Sequence, residues 1–119
     1  MLRDLERVIK ALADKNRLRI LKMLQQRAMC VCEIREVLGL SQPSVSKHLK
    51  ILKDAGIIED WQDGLWTNYQ LKPQNRYSKK LLLSLENWLN NDDRITRDLV
   101  AAKKASRQKL YCCRKKGNK

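Results

Sequence analysis

The sequence predicts a mainly α-helical fold that carries one β-hairpin, a winged helix-turn-helix, assembled as a dimer. Three observations predict it. Residues 30–56, CVCEIREVLGLSQPSVSKHLKILKDAG, read as two short helices joined by a tight turn. Directly after them the apolar period changes from helical to strand-like around an Asp-Gly pair. Near the C-terminus an apolar helical stripe runs for about 21 residues, more than a small domain needs for its own core.

Taken in order, Leu2, Leu5, Ile9 and Leu12 form the stripe of a first helix. Asp14 is placed to cap a second helix, Lys15 to about Gln26, whose apolar residues are Leu18, Ile20, Leu21 and Leu24. Cys30 and Cys32 then start a third helix, with Val31, Ile34, Val37 and Leu38 on its inner side. Gly39 suits the left-handed position that ends a helix. Ser41 is a good N-cap, and Pro43 is tolerated in a first turn, where its missing donor has no intrahelical partner anyway. Val45, Leu49 and Leu52 form the core stripe of this fourth helix, which Gly56 ends. At about 100° per residue, Lys47 and Lys50 fall opposite that stripe, flanked by Ser44 and Ser46. An apolar back and a cationic, hydroxyl-bearing front fit a DNA major groove, with Ser41 and Gln42 at the leading end.

Ile57–Trp61 and Leu65–Leu71 are β-prone, and the Asp63-Gly64 pair between them is a hairpin signal. A wing tip of this kind can reach DNA, and Gln62 is its candidate contact, although Asp63 would be repelled by phosphate there. Trp61, Trp66 and Tyr69 are read as hairpin packing. Pro73 closes the hairpin. From about Ser78 one long helix is expected, carrying Leu81, Leu85, Trp88, Ile95, Leu99 and Ala102, with Asp92-Asp93 as a pause. Its surplus apolar surface, paired with the first helix, is the expected homodimer interface.

At 119 residues and a net charge of +13 the chain is one domain that seeks a polyanion. The eight Lys and Arg of Lys103–Lys119 are not the whole cause, since without that stretch the balance is still +5. The expected division is a DNA-binding and dimerisation domain over residues 1–106 and a basic, cysteine-bearing tail over 107–119. No run of 18 apolar residues exists, and the N-terminal stretch carries acids rather than the apolar core of a signal peptide. A cytoplasmic location without membrane attachment is therefore expected. Four cysteines in a reducing compartment point to metal binding or redox work rather than structural disulfides. An enzyme is not expected: there is one histidine, no Gly-rich phosphate loop and no nucleophile–base pair.

The order ALADKNRLRILKML, CVCEI, GLSQPSVSKHLKILKDAGII and LWTNYQL closely resembles the arsenic-repressor (ArsR/SmtB) family of bacterial metal-sensing repressors, over residues 10–71. That resemblance implies a dimeric winged-helix repressor that binds double-stranded operator DNA and releases it when metal or metalloid binds. Cys30 and Cys32 resemble the family's site for trivalent arsenic or antimony at the start of the third helix. The nearest family pattern has a third cysteine where this chain has Arg35, so Cys112 or Cys113 would have to complete the site, from the same or the other subunit. The zinc-binding branch uses histidines and carboxylates on the last helix, where Asp92 and Asp93 are available. The single histidine, His48, lies in the fourth helix instead, half-buried or facing phosphate, which sets that branch aside.

Soft thiolates favour trivalent arsenic or antimony, with cadmium or lead as further candidates, and no organic cofactor is implied. Two helical residues at i and i+2 point about 200° apart, so one ion held by both cysteines would require the first turn of the third helix to unwind. Arg27 and Arg35 are expected to favour the thiolate. Two other readings stay open. One is a thiol-redox regulator in which Cys30 or Cys32 bridges to Cys112 or Cys113. The other is a metal-trafficking protein that docks through its basic tail, and it leaves the hairpin and the Lys47/Lys50 face without a purpose.

Overall fold

The computed structural model describes residues 1–106. Its elements run α1 (Leu2–Leu12), α2 (Lys15–Gln26), β1 (Met29–Cys30), α3 (Val31–Leu38), α4 (Gln42–Asp54), β2 (Ile58–Asp63), β3 (Trp66–Leu71), α5 (Arg76–Asn87) and α6 (Asp93–Lys104). The winged helix-turn-helix is present, and the boundaries of α2 are those expected. The core gathers one side of each helix: Val8 and Ala11 of α1, Ile20, Leu21, Met23 and Leu24 of α2, Ile34 of α3, and Val45, Leu49 and Leu52 of α4. Ile57 and Ile58 close it from the start of the wing.

The turn between α3 and α4 is built as its residues dictate. Gly39 has φ 71° and its N–H donates to the Arg35 carbonyl. A β-carbon there would meet nothing, so the positive φ alone calls for glycine. Ser41 caps α4 by accepting from the Ser44 N–H at 3.3 Å.

Three features differ from the sequence-based expectation. The first is a third strand. Met29 pairs with Tyr69 and Cys30 with Asn68, so the sheet has the order β1-β3-β2 and ties the start of α3 to the wing. The wing turn is also displaced by one residue, with Asp63 opposite Trp66 and Gly64 (φ 61°) at the first loop position.

The second concerns the long C-terminal helix, which is two helices. α5 stops at Asn87, Leu89 turns to φ 68°, and Asp92 begins α6 by accepting from the Ile95 N–H at 3.1 Å. The helix is therefore interrupted at the expected Asp92-Asp93 pause, where Asp92 caps α6. The buried Lys22 fastens this break, donating to the Leu85 carbonyl at 2.8 Å and to Asn90 Oδ1 at 2.9 Å. Desolvation lowers its pKa from the ordinary lysine value.

The third is the use of the apolar stripes. Leu85, Ile95 and Ala102, read as interface, are buried within the chain, where α6 packs on α2 and α3. The Arg19–Asp98 ion pair, 2.7 Å and almost fully buried, locks that packing. The large apolar groups left exposed on α1, α5, α6 and the connection between the last two are Leu2, Ile9, Leu83, Trp88, Leu89 and Val100. Among the described residues no helix is long and apolar enough to cross a membrane.

Candidate nucleic-acid interface and thiol site

α4 separates its two faces cleanly. Val45, Leu49 and Leu52 are buried, while Ser41, Ser44, Ser46, Lys47 and Lys50 are exposed and Gln42 is half-buried. The expected reading residues therefore share the outer side of one helix. Lys50 also reaches Asp54 at 3.1 Å, a pairing one turn along the same helix. Gln62 is drawn into the wing itself: its amide nitrogen donates to the Gly64 carbonyl and its oxygen accepts from Thr67 Oγ1 at 3.0 Å.

His48 is half-buried on the inner edge of α4, with its Nδ1 3.1 Å from Arg17 Nη1. A guanidinium is always a donor, so Nδ1 accepts and the ring proton sits on Nε2. The same Arg17 donates through Nε to the Ala11 carbonyl at 2.7 Å. One side chain thus joins the end of α1 to the reading helix. No sequence pattern singled it out.

The thiol site is arranged differently from the expectation. Cys30 does not lie in a helical turn: it is the N-cap of α3, in extended backbone (φ −86°, ψ 165°), and Cys32 is the second helical residue. The opposed-face argument holds only where both residues are helical, so capture of one ion does not by itself force α3 to unwind. What stands at Cys30 is a cap. The Cys30 side chain accepts from the Glu33 backbone N–H, and the Glu33 carboxylate accepts from the Cys30 N–H at 2.9 Å. This is a capping box with sulfur in place of a hydroxyl. Glu33 three residues after the cap was the readable sign of it.

Both cysteines are buried and packed together beneath Val31 and Trp66. Cys32 is disulfide-bonded. Burial pushes the Cys30 thiol above its ordinary range, and the adjacent Glu33 carboxylate adds to this against the pull of nearby backbone N–H groups. The expected lowering by Arg27 and Arg35 is not seen. Arg27 instead faces Glu33 at 3.4 Å and donates to the carbonyls of Ala102 and Ala105 at 2.7 and 3.1 Å. A chain of contacts therefore runs from Cys30 through Glu33 and Arg27 to the end of α6.

Among the described residues no group of three His, Cys, Asp or Glu side chains is arranged to hold a metal ion. A site with three sulfurs needs a ligand from beyond residue 106. Cys112 and Cys113, the expected donors, lie outside the described residues. Of the aromatic residues read as hairpin packing, Trp66 and Tyr69 are half-buried, whereas Trp61 is exposed at the wing.

Comparison with known proteins agrees with this fold. Residues 14–60 match the family model described as bacterial regulatory protein, arsR family. The arsenic resistance transcriptional regulator ArsR1 of Pseudomonas putida is 37% identical over 91 residues, covering 71% of this chain and 71% of that one. The arsenical resistance operon repressor of Bacillus subtilis is 43% identical over 75 residues, covering 62% of this chain and 71% of that repressor. Among solved structures, the homodimeric winged helix-turn-helix DNA-binding domain of a Mycobacterium bovis protein superposes with a TM-score of 0.64 at 29% identity, covering 72% of this chain and 78% of that domain.

Proposed function

The chain belongs to the arsR family of bacterial regulatory proteins, and from that premise we propose that it is a dimeric repressor released from its operator by trivalent arsenic or antimony at cysteine thiolates. It is a transcriptional regulator and not an enzyme. The observation that carries the finer reading is the placement of Cys30: a soft sulfur caps the helix packed behind the reading helix.

In this reading α4 enters the major groove, with Ser41, Gln42, Ser44, Ser46, Lys47 and Lys50 toward bases and phosphates. Gln62 adds a wing contact if it exchanges its turn hydrogen bonds for the DNA. Two protomers, joined through α1 and the C-terminal helices, present two such helices to an operator in the cytoplasm. The exposed Leu2, Ile9, Leu83, Trp88, Leu89 and Val100 are the apolar surface available to that contact.

Cys30 and Cys32 would hold the inducer, with Cys112 or Cys113 as the third sulfur. Trivalent arsenic or antimony, and on the same ground cadmium or lead, supplies strong bonds to soft thiolates when bound. In this reading the Cys30 sulfur, drawn toward the bound ion, moves away from the Glu33 N–H. The capping box then loses one of its two bonds, and the link through Arg27 to α6 is weakened. A coupling of about 1–3 kcal/mol between this loss and DNA binding changes operator affinity about 5- to 150-fold. The test is operator binding with and without arsenite under reducing conditions, in the parent protein, Cys30→Ser and Cys32→Ser. Arsenite should release the parent and neither variant. Release that persists in both removes these cysteines from the mechanism.

A second reading has its own support in the disulfide of Cys32. In it the protein is a thiol-redox regulator, with Cys112 or Cys113 as the partner thiol. Peroxide would then remove two electrons and two protons from the pair and change operator affinity without arsenite. Release by arsenite but not by peroxide selects the first reading over this one.

A further inference from the structure

The wing differs in charge from the rest of this basic chain. Between Lys53 and Lys72 there is no Lys or Arg, while Asp54, Glu59, Asp60 and Asp63 are all acidic. Glu59 and Asp60 are answered within the fold, by Lys72 at 3.4 Å and Lys53 at 2.9 Å. Asp63 lies at the exposed tip and accepts from Asn68 Nδ2 at 3.4 Å. It forms one wall of an open cleft of about 390 Å³, with the exposed Trp61 beside it. Arg27 and Glu33 line the cleft from the α3 side. The last lining residue is Ser106, where the described chain ends.

The sequence that continues from Ser106 is RQKLYCCRKKGNK, with six Lys or Arg and no acid. We propose that this cleft is the docking site of the chain's own C-terminal segment, Arg107–Lys119, and that seating the segment withdraws its positive charge from DNA. Three observations fit this occupant. The described chain ends at Ser106, which lines the cleft. The segment's charge is opposite to that of Asp63 on the wing wall, while Glu33 on the other wall already faces Arg27, and Trp61 offers a ring face for a cation. Cys32, which is disulfide-bonded, lies next in sequence to Glu33 of the wall. Reach is not limiting, because Cys112 is six residues beyond Ser106 and an extended chain spans about 20 Å over that length.

The consequence builds on the operator-binding reading. An undocked tail with six cations can neutralise phosphates, and each one engaged steepens the dependence of log affinity on log salt by about 0.9. A docked tail gives up that contribution. Thiol chemistry that joins the tail to Cys30 or Cys32 would then weaken DNA binding by holding the tail on the wing, alongside any change in α3.

The test reads the tail without DNA. Full-length protein, reduced so that no disulfide tethers the tail, is treated with trypsin at low salt, and cleavage beyond Ser106 is followed by mass spectrometry. The expected result is that the tail of the parent is cut at least about fivefold more slowly than that of Asp63→Lys, as for loss of a good ion pair. Asp63→Asn should fall between them, with cleavage of the folded part unchanged, and high salt should abolish the difference. Equal tail cleavage in all three overturns the proposal. So does protection that fades on dilution, which assigns the cleft to a partner's tail, or protection that appears only with operator DNA. Operator binding measured on the same proteins keeps the two claims apart. If the parent binds operator but its tail is unprotected, only the docking fails.

Discussion

The two helices of the helix-turn-helix begin in contrasting ways. α4 starts on an exposed serine that bonds only to its own first turn. α3 starts on a buried cysteine whose capping partner, Glu33, faces Arg27, which in turn holds the end of α6. The first start is local and leaves the outer side of α4 available for DNA. The second is wired to the far end of the chain. A change at Ser41 stays within one turn, whereas a change at Cys30 reaches the α3–α6 contact. Under the proposed function this asymmetry separates a reading helix from a responding one, even though they adjoin in sequence.

The contrast can be broken at several points, and the largest effect lies where α6 is anchored. Arg19→Ala leaves the buried Asp98 carboxylate without its guanidinium. It should cost about 3–5 kcal/mol in urea unfolding. A loss under about 1 kcal/mol would mean that α6 is held mainly by apolar packing.

Next comes the comparison of the caps. Glu33→Ala removes half of the capping box and a buried hydrogen-bonded carboxylate, and should cost about 2 kcal/mol. Ser41→Ala should cost about 1 kcal/mol or less, because its hydroxyl is exposed and bonds one neighbouring turn. Equal losses would erase the distinction between the two helix starts. Lys47→Ala acts on the reading side only. It should cut the salt dependence of operator binding by about 1 in log–log slope. Stability should stay within about 0.5 kcal/mol of the parent.

The smallest expected effect is in pH. Burial raises the Cys30 thiol above the ordinary thiol value of 9.0. The folded chain therefore keeps a proton that the unfolded chain gives up. The stabilisation from Cys30 is complete below pH 9 and is lost as pH rises from there through the folded pKa. Lys22 works in the opposite sense, since its lowered pKa favours the folded state as pH climbs toward 10.5. The Cys30 part is isolated by comparing the reduced parent with Cys30→Ala. The stability gap between them should narrow above pH 9. A constant gap would show that the thiol titrates alike in both states.

Much of this architecture was legible because its signals are local. Gly39, Ser41 and Pro43 each meet a backbone demand of the turn, and Asp14 and Gly64 act as their residue types suggest. What escaped needed a partner distant in sequence. β1 is two residues long and exists only by pairing with Tyr69 and Asn68. The break after α5 was legible only as a pause at Asp92-Asp93; its extent rests on Leu89 at positive φ and on Lys22 reaching over from α2. The periodic stripe was real, but the second turn it takes at residues 88–92 folds it back onto α2 and α3. The Cys-x-x-Glu spacing was visible, yet a thiol in a position usually held by a hydroxyl hid the capping box. Arg17 looked like one more surface cation until the fold set it between α1 and His48.

The most direct test of the central claim is amide hydrogen exchange at residues 31–35 and 101–105, on reduced full-length protein with and without arsenite. If capture pulls the cap apart and the disturbance passes through Glu33 and Arg27, exchange should quicken in both segments, while residues 45–52 of α4 keep their protection. Operator release by arsenite with exchange unchanged in both segments would contradict the account.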